Sequence, residues 1–406
     1  IKYSNPEQYL IMPKPSKSAK KRPKNKPKLK SASQHVALGD EAMQSLDVPK
    51  ALQHYQAAIP MLEAIETATT SKDLAQVLAK LGECKVSMGD QDGARDDFER
   101  AIELTPAGRH RAGLYLYVGQ LSLEEEALEA YEKGIQELEQ AIAAGADETD
   151  EVTMGDDEEE TTPESLKKDL QQQLVRAHCT LAELYLTDLC FADNAEKECE
   201  SHVEKAMQLT PEPLVDALQV MTSLRLSQQK DATPFILQAY GQIKTGCEAL
   251  ATLVGLHVTN KDDEAAEETA VELTEVDAVN NLPGFEFRCQ TSKLLLECFS
   301  LSENEECGLA AIQVLGSLLA ENDEVVETWY LLGCAFELQN DSDDLAVQYF
   351  QQALEMLQKV QEGLKQEDED DDDVMQQLNE CEGQIKDIQN KLKRIEEAET
   401  GKAEGA

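Results

Sequence analysis

The sequence predicts an all-α chain of stacked helix pairs, and three observations lead there. The stretch MGDQDGARDDFERAIELTP, residues 88–106, sets Ala94, Phe98, Ala101 and Pro106 at fixed intervals in an otherwise charged run, with Leu78, Leu81 and Gly82 upstream. Copies of this small, small, aromatic, small order return along the chain. Of the 406 residues only 5% are aromatic, 21 are Gly and 13 are Pro, a composition too helix-friendly for an all-β protein and ample for a large core.

Taken in order, the pattern resembles the tetratricopeptide repeat, a helix-turn-helix unit of about 34 residues whose small positions let two antiparallel helices cross closely. The first unit carries Leu38, Gly39, Ala51, Tyr55 and Ala58, and the second is the stretch above. A weaker third copy has Leu114, Tyr115, Ala127, Tyr131 and Gly134; a fourth has Leu181, Ala182, Tyr185, Cys199, Val203, Ala206 and Pro211 with a longer turn. Residues 214–250 and 285–320 read as two helix pairs that have lost most of the signature. The last unit has Trp329, Leu332, Gly333, Phe336, Ala346, Tyr349, Phe350 and Ala353. About seven such units, over 31–361, predict a tetratricopeptide-repeat superhelical solenoid, since no unit can bury its apolar face alone. The small and aromatic positions are packing, and no chemistry is assigned to them.

Acidic segments punctuate the repeats. Residues 147–160 (DETDEVTMGDDEEE) and 261–277 read as disordered inserts with too little apolar surface to offset ordering. An acidic linker, 362–373, precedes a heptad stripe of Val374, Leu378, Cys381, Ile385, Ile388, Leu392 and Ile395, which predicts a capping helix over 374–398 on the last repeat, with 399–406 as a tail. At the other end, residues 1–30 hold ten Lys or Arg against the single acid Glu7, while the whole chain has a formal charge of −43. A basic head therefore precedes a very acidic body, which points to cationic partners and opposes direct nucleic-acid binding. Lys20, Lys21, Arg22, Lys24, Lys26, Lys28 and Lys30 form an extended, solvated run that reads as a nuclear localisation signal met by an import receptor. The chain opens on Ile1, and Met12 stands as a candidate initiator.

The search for chemistry returns little. There is no phosphate-binding Gly loop, HExxH, GxSxG elbow or kinase signature, so no catalytic, cofactor-binding or metal residue is assigned and the chain is read as a non-enzyme. His178, Cys179, Cys190, Cys199 and His202 lie close in sequence, but their spacing matches no zinc motif and small Cys suits a tight helix crossing. The ten cysteines are scattered without a CxxC pair, as suits a reducing cytoplasm or nucleus. No apolar run approaches the roughly 18–20 residues of a bilayer span, so no membrane partner is expected.

Binding is the better prospect. In tetratricopeptide repeats the second, fifth, ninth and twelfth positions, on the first helix of each unit, face the concave groove. With the small residue as the eighth, the ninth is Asp40, Glu83 and Glu183 in the first, second and fourth units. The last unit supplies Glu327 at its second position, Tyr330 at its fifth and Glu337 at its twelfth. These six are the candidate ligand-binding residues. Their chemistry suits a long, extended, Lys/Arg-rich segment with interspersed apolar anchors.

The basic head, about seven repeats and the acidic tail together resemble the fungal tetratricopeptide assembly chaperones dedicated to the fourth large-subunit ribosomal protein. The resemblance implies a concave surface that embraces the cargo's basic internal loop, prevents its aggregation and accompanies it to the nucleus for pre-60S assembly. A monomer shuttling between nucleus and cytoplasm is the corresponding expectation. A tetratricopeptide histone chaperone and a generic protein-protein adaptor are the competing readings; the insert at 147–160 falls between units rather than within one, which counts against the former. A clamp for the acidic tail of heat-shock chaperones is disfavoured, because Val36 and Asp40 stand where it needs Lys and Asn.

Overall fold

Capping chemistry starts the helices where the repeat pattern asks for them. In the computed structural model, which describes residues 31–65, 68–145, 162–256, 273–339, 343–366 and 372–404, Ser31 and Gln34 form a reciprocal capping box at the start of α1 (Ala32–Gln44). Asp47 caps α2 (Val48–Glu63) and Thr162 caps α7 (Pro163–Leu186), each with a proline in the first turn, where its missing N–H has no partner to lose. The described residues contain helices and no strand.

Two compact units divide the chain, Ile1–Leu104 and Thr105–Ala406. The first holds the pairs α1/α2 and α3/α4 (Ala68–Ser87, Gln91–Leu104). The second holds α5/α6 (Arg109–Gln120, Glu124–Ala144), α7/α8 (α8 Ala195–Gln208), α9/α10 (Val215–Ser227, Thr233–Leu253), α12/α13 (Phe285–Ser302, Glu305–Glu321) and α14/α15 (Val326–Glu337, Asp343–Leu364), with the short α11 (Leu273–Asn280) after α10 and the long α16 (Asp372–Glu404) at the end. Seven helix pairs are present among the described residues. The first acidic insert lies outside the described residues, as does the head. The second is also outside them up to residue 272; its last residues begin α11, whose Ala278 carbonyl, with Leu282 just beyond, packs on Gly246 of α10.

One contact defines the regular pairs. A Cβ built on Gly39 would come within 2.5 Å of the Tyr55 ring, on Gly82 within 2.8 Å of Phe98, and on Gly333 within 2.5 Å of Phe350. The first helix thus presents a glycine to the face of a fully buried ring on the second, and the rest of the signature closes around it: Leu78, Leu81, Ala94 and Ala101 are buried too. The third pair corrects the sequence alignment. There a Cβ built on Gly119, four residues beyond Tyr115, would come within 2.8 Å of the Tyr131 ring, so only a residue without one admits the ring. In the fourth pair Ala182 and Val203 are both buried; the extra methyl on one helix accompanies a smaller partner on the other.

The two faded pairs are built differently. Glycine and ring exchange helices in the sixth pair, where Gly308 of α13 abuts Phe299 of α12. The second helices α10 and α13 also pack directly on one another, with Gly316 against Ala251 and the Tyr240 hydroxyl bonded to Gln313. Arg288, 2% exposed, is held by the Pro283 carbonyl, Ser317 and Glu321. A polar network here accompanies the loss of the glycine and aromatic spacing.

The heptad helix α16 lies along α15. Val374, Cys381, Ile388 and Ile395, spaced by seven, are all buried, and Ile385 and Leu392 pack beside them. The sequence cluster of histidines and cysteines resolves into packing: the Nδ1 atoms of buried His178 and half-buried His202 lie 2.9 Å apart, joining α7 to α8. His35 and His54 make the equivalent contact at 3.3 Å in the first pair, four residues before Gly39 and one before Tyr55. All ten cysteines are free thiols, and among the described residues no group of three or more His, Cys, Asp or Glu could hold a metal ion. No helix among the described residues is long and apolar enough to cross a membrane.

Deleting the ring should be costly and so should filling its seat. Phe98→Ala is expected to cost about 3–5 kcal/mol, and Gly82→Val, which forces a branched side chain onto the ring, should also lower the melting temperature. Gly113→Ala, with open space at its Cβ, should leave it unchanged or raise it. Thermal unfolding followed by circular dichroism distinguishes the three.

Candidate functional surface on the first helices

The glycine-to-ring contact also orients the residue after it. Successive residues sit about 100° apart around a helix, so with Gly82 or Ala182 turned toward its partner helix, the next residue swings out onto the first-helix face. Glu83 on α3 and Glu183 on α7 both carry solvent-accessible surface. Protein nevertheless surrounds each closely enough to weaken hydration, and desolvation by burial is the main cause holding both carboxyls above the usual glutamate range. For Glu83 the Lys80 ammonium one turn earlier partly opposes the shift. For Glu183 the Asp216 carboxylate at the start of α9 adds to it. Glu183 in turn reinforces the burial that pushes the buried Tyr131 phenol up to about 12. Neither Glu83 nor Glu183 has an ion-pair partner among the described residues. An accessible acid poorly served by water and without an ion pair can receive a cation from a ligand.

The other four candidates are engaged within the chain. Asp40 accepts the Tyr55 hydroxyl at 2.7 Å and the Lys80 ammonium at 2.6 Å. Glu327 pairs with Lys293 of α12 at 2.7 Å. The Tyr330 hydroxyl donates to Asp387 of α16 at 2.8 Å. Glu337 takes two cations from α16, Lys391 at 2.8 Å and Arg394 at 2.9 Å, and Lys391 also sits over the Tyr330 ring. Within the first unit Lys80 pairs with Asp40 and also acts electrostatically on Glu83. Within the second it brings Glu327, Tyr330 and Glu337 together on α14, beside α16. The import residues Lys20, Lys21, Arg22, Lys24, Lys26, Lys28 and Lys30 lie outside the described residues.

Reading acids alone missed the chain's own cations, Lys80, Lys293, Lys391 and Arg394, and the acids Asp216 and Asp387. For α16 a signal existed: Lys391 and Arg394 are three residues apart, hence neighbours on one helix face. Nothing in the repeat spacing marks Lys293, because it belongs to a pair whose signature has faded.

Comparison with known proteins follows the same lines. The tetratricopeptide repeat model matches residues 75–107 and 326–356, which are the second and last helix pairs. A protein of Schizosaccharomyces pombe named "Probable assembly chaperone of rpl4" is 28% identical over 274 residues, 66% of each chain. A protein of Emericella nidulans with the same name is 24% identical over 288 residues, 68% of this chain and 58% of that one. The chain carries tetratricopeptide repeats and is similar to these chaperones. Its match spans just under two thirds of the length of the first and less of the second. Among solved structures, an assembly chaperone of RpL4, residues 1–338, superposes with a TM-score of 0.55 at 22% identity over 78% of this chain and 99% of that one, a likeness of fold.

The shifts carry a signed consequence. A carboxyl whose folded pKa exceeds its unfolded value binds more protons when folded, so its contribution to stability falls as pH rises above the ordinary glutamate range. Glu183→Gln and Glu83→Gln should therefore raise the melting temperature at neutral pH. Below the ordinary glutamate pKa, where the unfolded chain is protonated as well, the gain should vanish. Calorimetry at the two pH values measures it.

Proposed function

We propose that this chain is a dedicated assembly chaperone for the fourth large-subunit ribosomal protein, the rpl4 of its relatives' names. It binds the basic extended loop of the newly made protein, keeps it from aggregating and accompanies it into the nucleus for pre-60S assembly. Its role is binding rather than catalysis. The observation that carries the reading is the pair of exposed carboxylates without an ion pair among the described residues, Glu83 and Glu183, at the repeat position where ligands of such solenoids lie; the names of the relatives supply the cargo.

The chemistry of holding such a loop follows from the site. A Lys or Arg brought to Glu83 or Glu183 replaces poor hydration with a charge-assisted hydrogen bond and favours the ionised carboxylate. Exposed ion pairs contribute about 0–1 kcal/mol each, so steering and the exclusion of acidic partners come from the charge, and tight holding needs apolar contacts beside it. The acidic body also accelerates encounter with a basic loop, in a salt-dependent way. The basic head at residues 14–30 serves an import receptor, and a monomer takes one cargo molecule.

Two outcomes test this. Glu83→Lys with Glu183→Lys should weaken binding of the purified loop at least tenfold, measured by titration calorimetry, with helicity unchanged; wild-type affinity in the double reversal removes the two acids from the site. Deleting residues 14–30 should leave loop binding intact while a fluorescent fusion no longer accumulates in nuclei. Unchanged nuclear accumulation would sink the import role.

A further inference from the structure

Between α14 and α16 lies a cavity of about 640 Å³, within the range of small-ligand pockets. Its walls are of two kinds. Val326, Leu357 and Ile388 supply apolar surface, Glu327 and Asp387 supply carboxylates, and the Tyr330 ring, Gly383 and Gln384 complete the lining. Glu327 is paired with Lys293, whereas Asp387 receives only the neutral Tyr330 hydroxyl and has no ion-pair partner among the described residues. The cavity therefore holds one carboxylate more than it has cations. An anion would be repelled from it, and a wholly apolar ligand would strip water from Asp387 without replacing it.

We infer that this cavity is a pocket for a single Lys or Arg side chain of the basic segment that the chain holds, with α16 as one of its walls. The aliphatic stem lies on Val326 and Ile388, the cation reaches Asp387, and the Tyr330 ring offers its face. The chain itself displays this mode of contact three residues along α16 from Ile388, where the Lys391 ammonium sits 5.8 Å from the centre of the Tyr330 ring and 5.5 Å from that of Phe350 while bonding Glu337. On this reading Glu337 is the anchor that holds α16 in place rather than a contact for cargo. The terminal helix then does more than seal the last repeat: it supplies half of a specificity pocket. The inference rests on the proposed function and locates one subsite of it.

Gly383 makes the test clean, because a Cβ there meets nothing within 4 Å and both Ala and Phe favour the helix over glycine. Gly383→Phe should fill the cavity without unseating α16, and Gly383→Ala serves as its control. The probe is a fluorescein-labelled, proline-spaced Lys/Arg peptide with interspersed Leu, followed by anisotropy at fixed salt on the full chain. Gly383→Phe should weaken binding about tenfold, Asp387→Asn should weaken it several-fold, and Gly383→Ala should match wild type. Emission of Trp329, the chain's one tryptophan, reports whether the last pair remains folded in each variant. Wild-type affinity in Gly383→Phe, alongside loss in the Glu83 and Glu183 reversals, overturns the pocket and leaves the proposed function standing. A peptide that does not bind wild type at all overturns both.

Discussion

Everything downstream depends on the seating of an aromatic ring over a glycine. Where Gly39, Gly82, Gly119 and Gly333 lack a Cβ, a ring from the second helix of the pair takes its place. That fixes how closely the two helices cross and which way the first helix is turned about its own axis. The turn of the helix in its seat then decides which residues face outward, so a packing rule with no chemistry of its own places Glu83 and Glu183. The same rule limits what substitution can do: a methyl added at Gly82 displaces a ring that is itself fully buried, and interiors this dense have no slack to absorb it.

The electrostatics run against stability. A carboxylate kept accessible but poorly hydrated is less comfortable in the folded chain than in water, and Asp216 makes Glu183 worse off. Asp40, Glu327 and Glu337 show the stable alternative, each neutralised by a lysine or arginine of the chain itself. Acids on the first-helix faces thus fall into two groups. One group organises the structure, pinning α3 to α1 and α16 to α14. The other stays unsatisfied, and such unsatisfied groups are where a ligand of opposite charge gains most.

Much of this was legible in the residues. The helix pairs with a glycine or alanine at the small position and a ring or valine opposite could be numbered from the sequence, and with them the outward acids. The third pair was misaligned by four residues because Ala127 and Tyr131 fit the pattern while the turn before them is short; only the ring on Gly119 reveals it. The fifth and sixth pairs were legible as helices and not as repeats, since Gly308 and Phe299 have exchanged sides and Arg288, Tyr240 and Gln313 do work that apolar spacing does elsewhere. The heptad stripe announced α16, but not that its polar face would reach Tyr330 and Glu337. Pairings such as Lys293 with Glu327 join residues 34 apart across neighbouring pairs, a relation that no local pattern encodes.

The central claim is that the chain holds one basic ribosomal protein. It is tested most directly by purifying the tagged full-length chain from cells at moderate salt and identifying by mass spectrometry what accompanies it in stoichiometric amount. The account predicts a single large-subunit ribosomal protein, the fourth, whose recovery is lost when its basic internal loop is deleted. Recovery of core histones in its place, or of no basic protein at all, would contradict it.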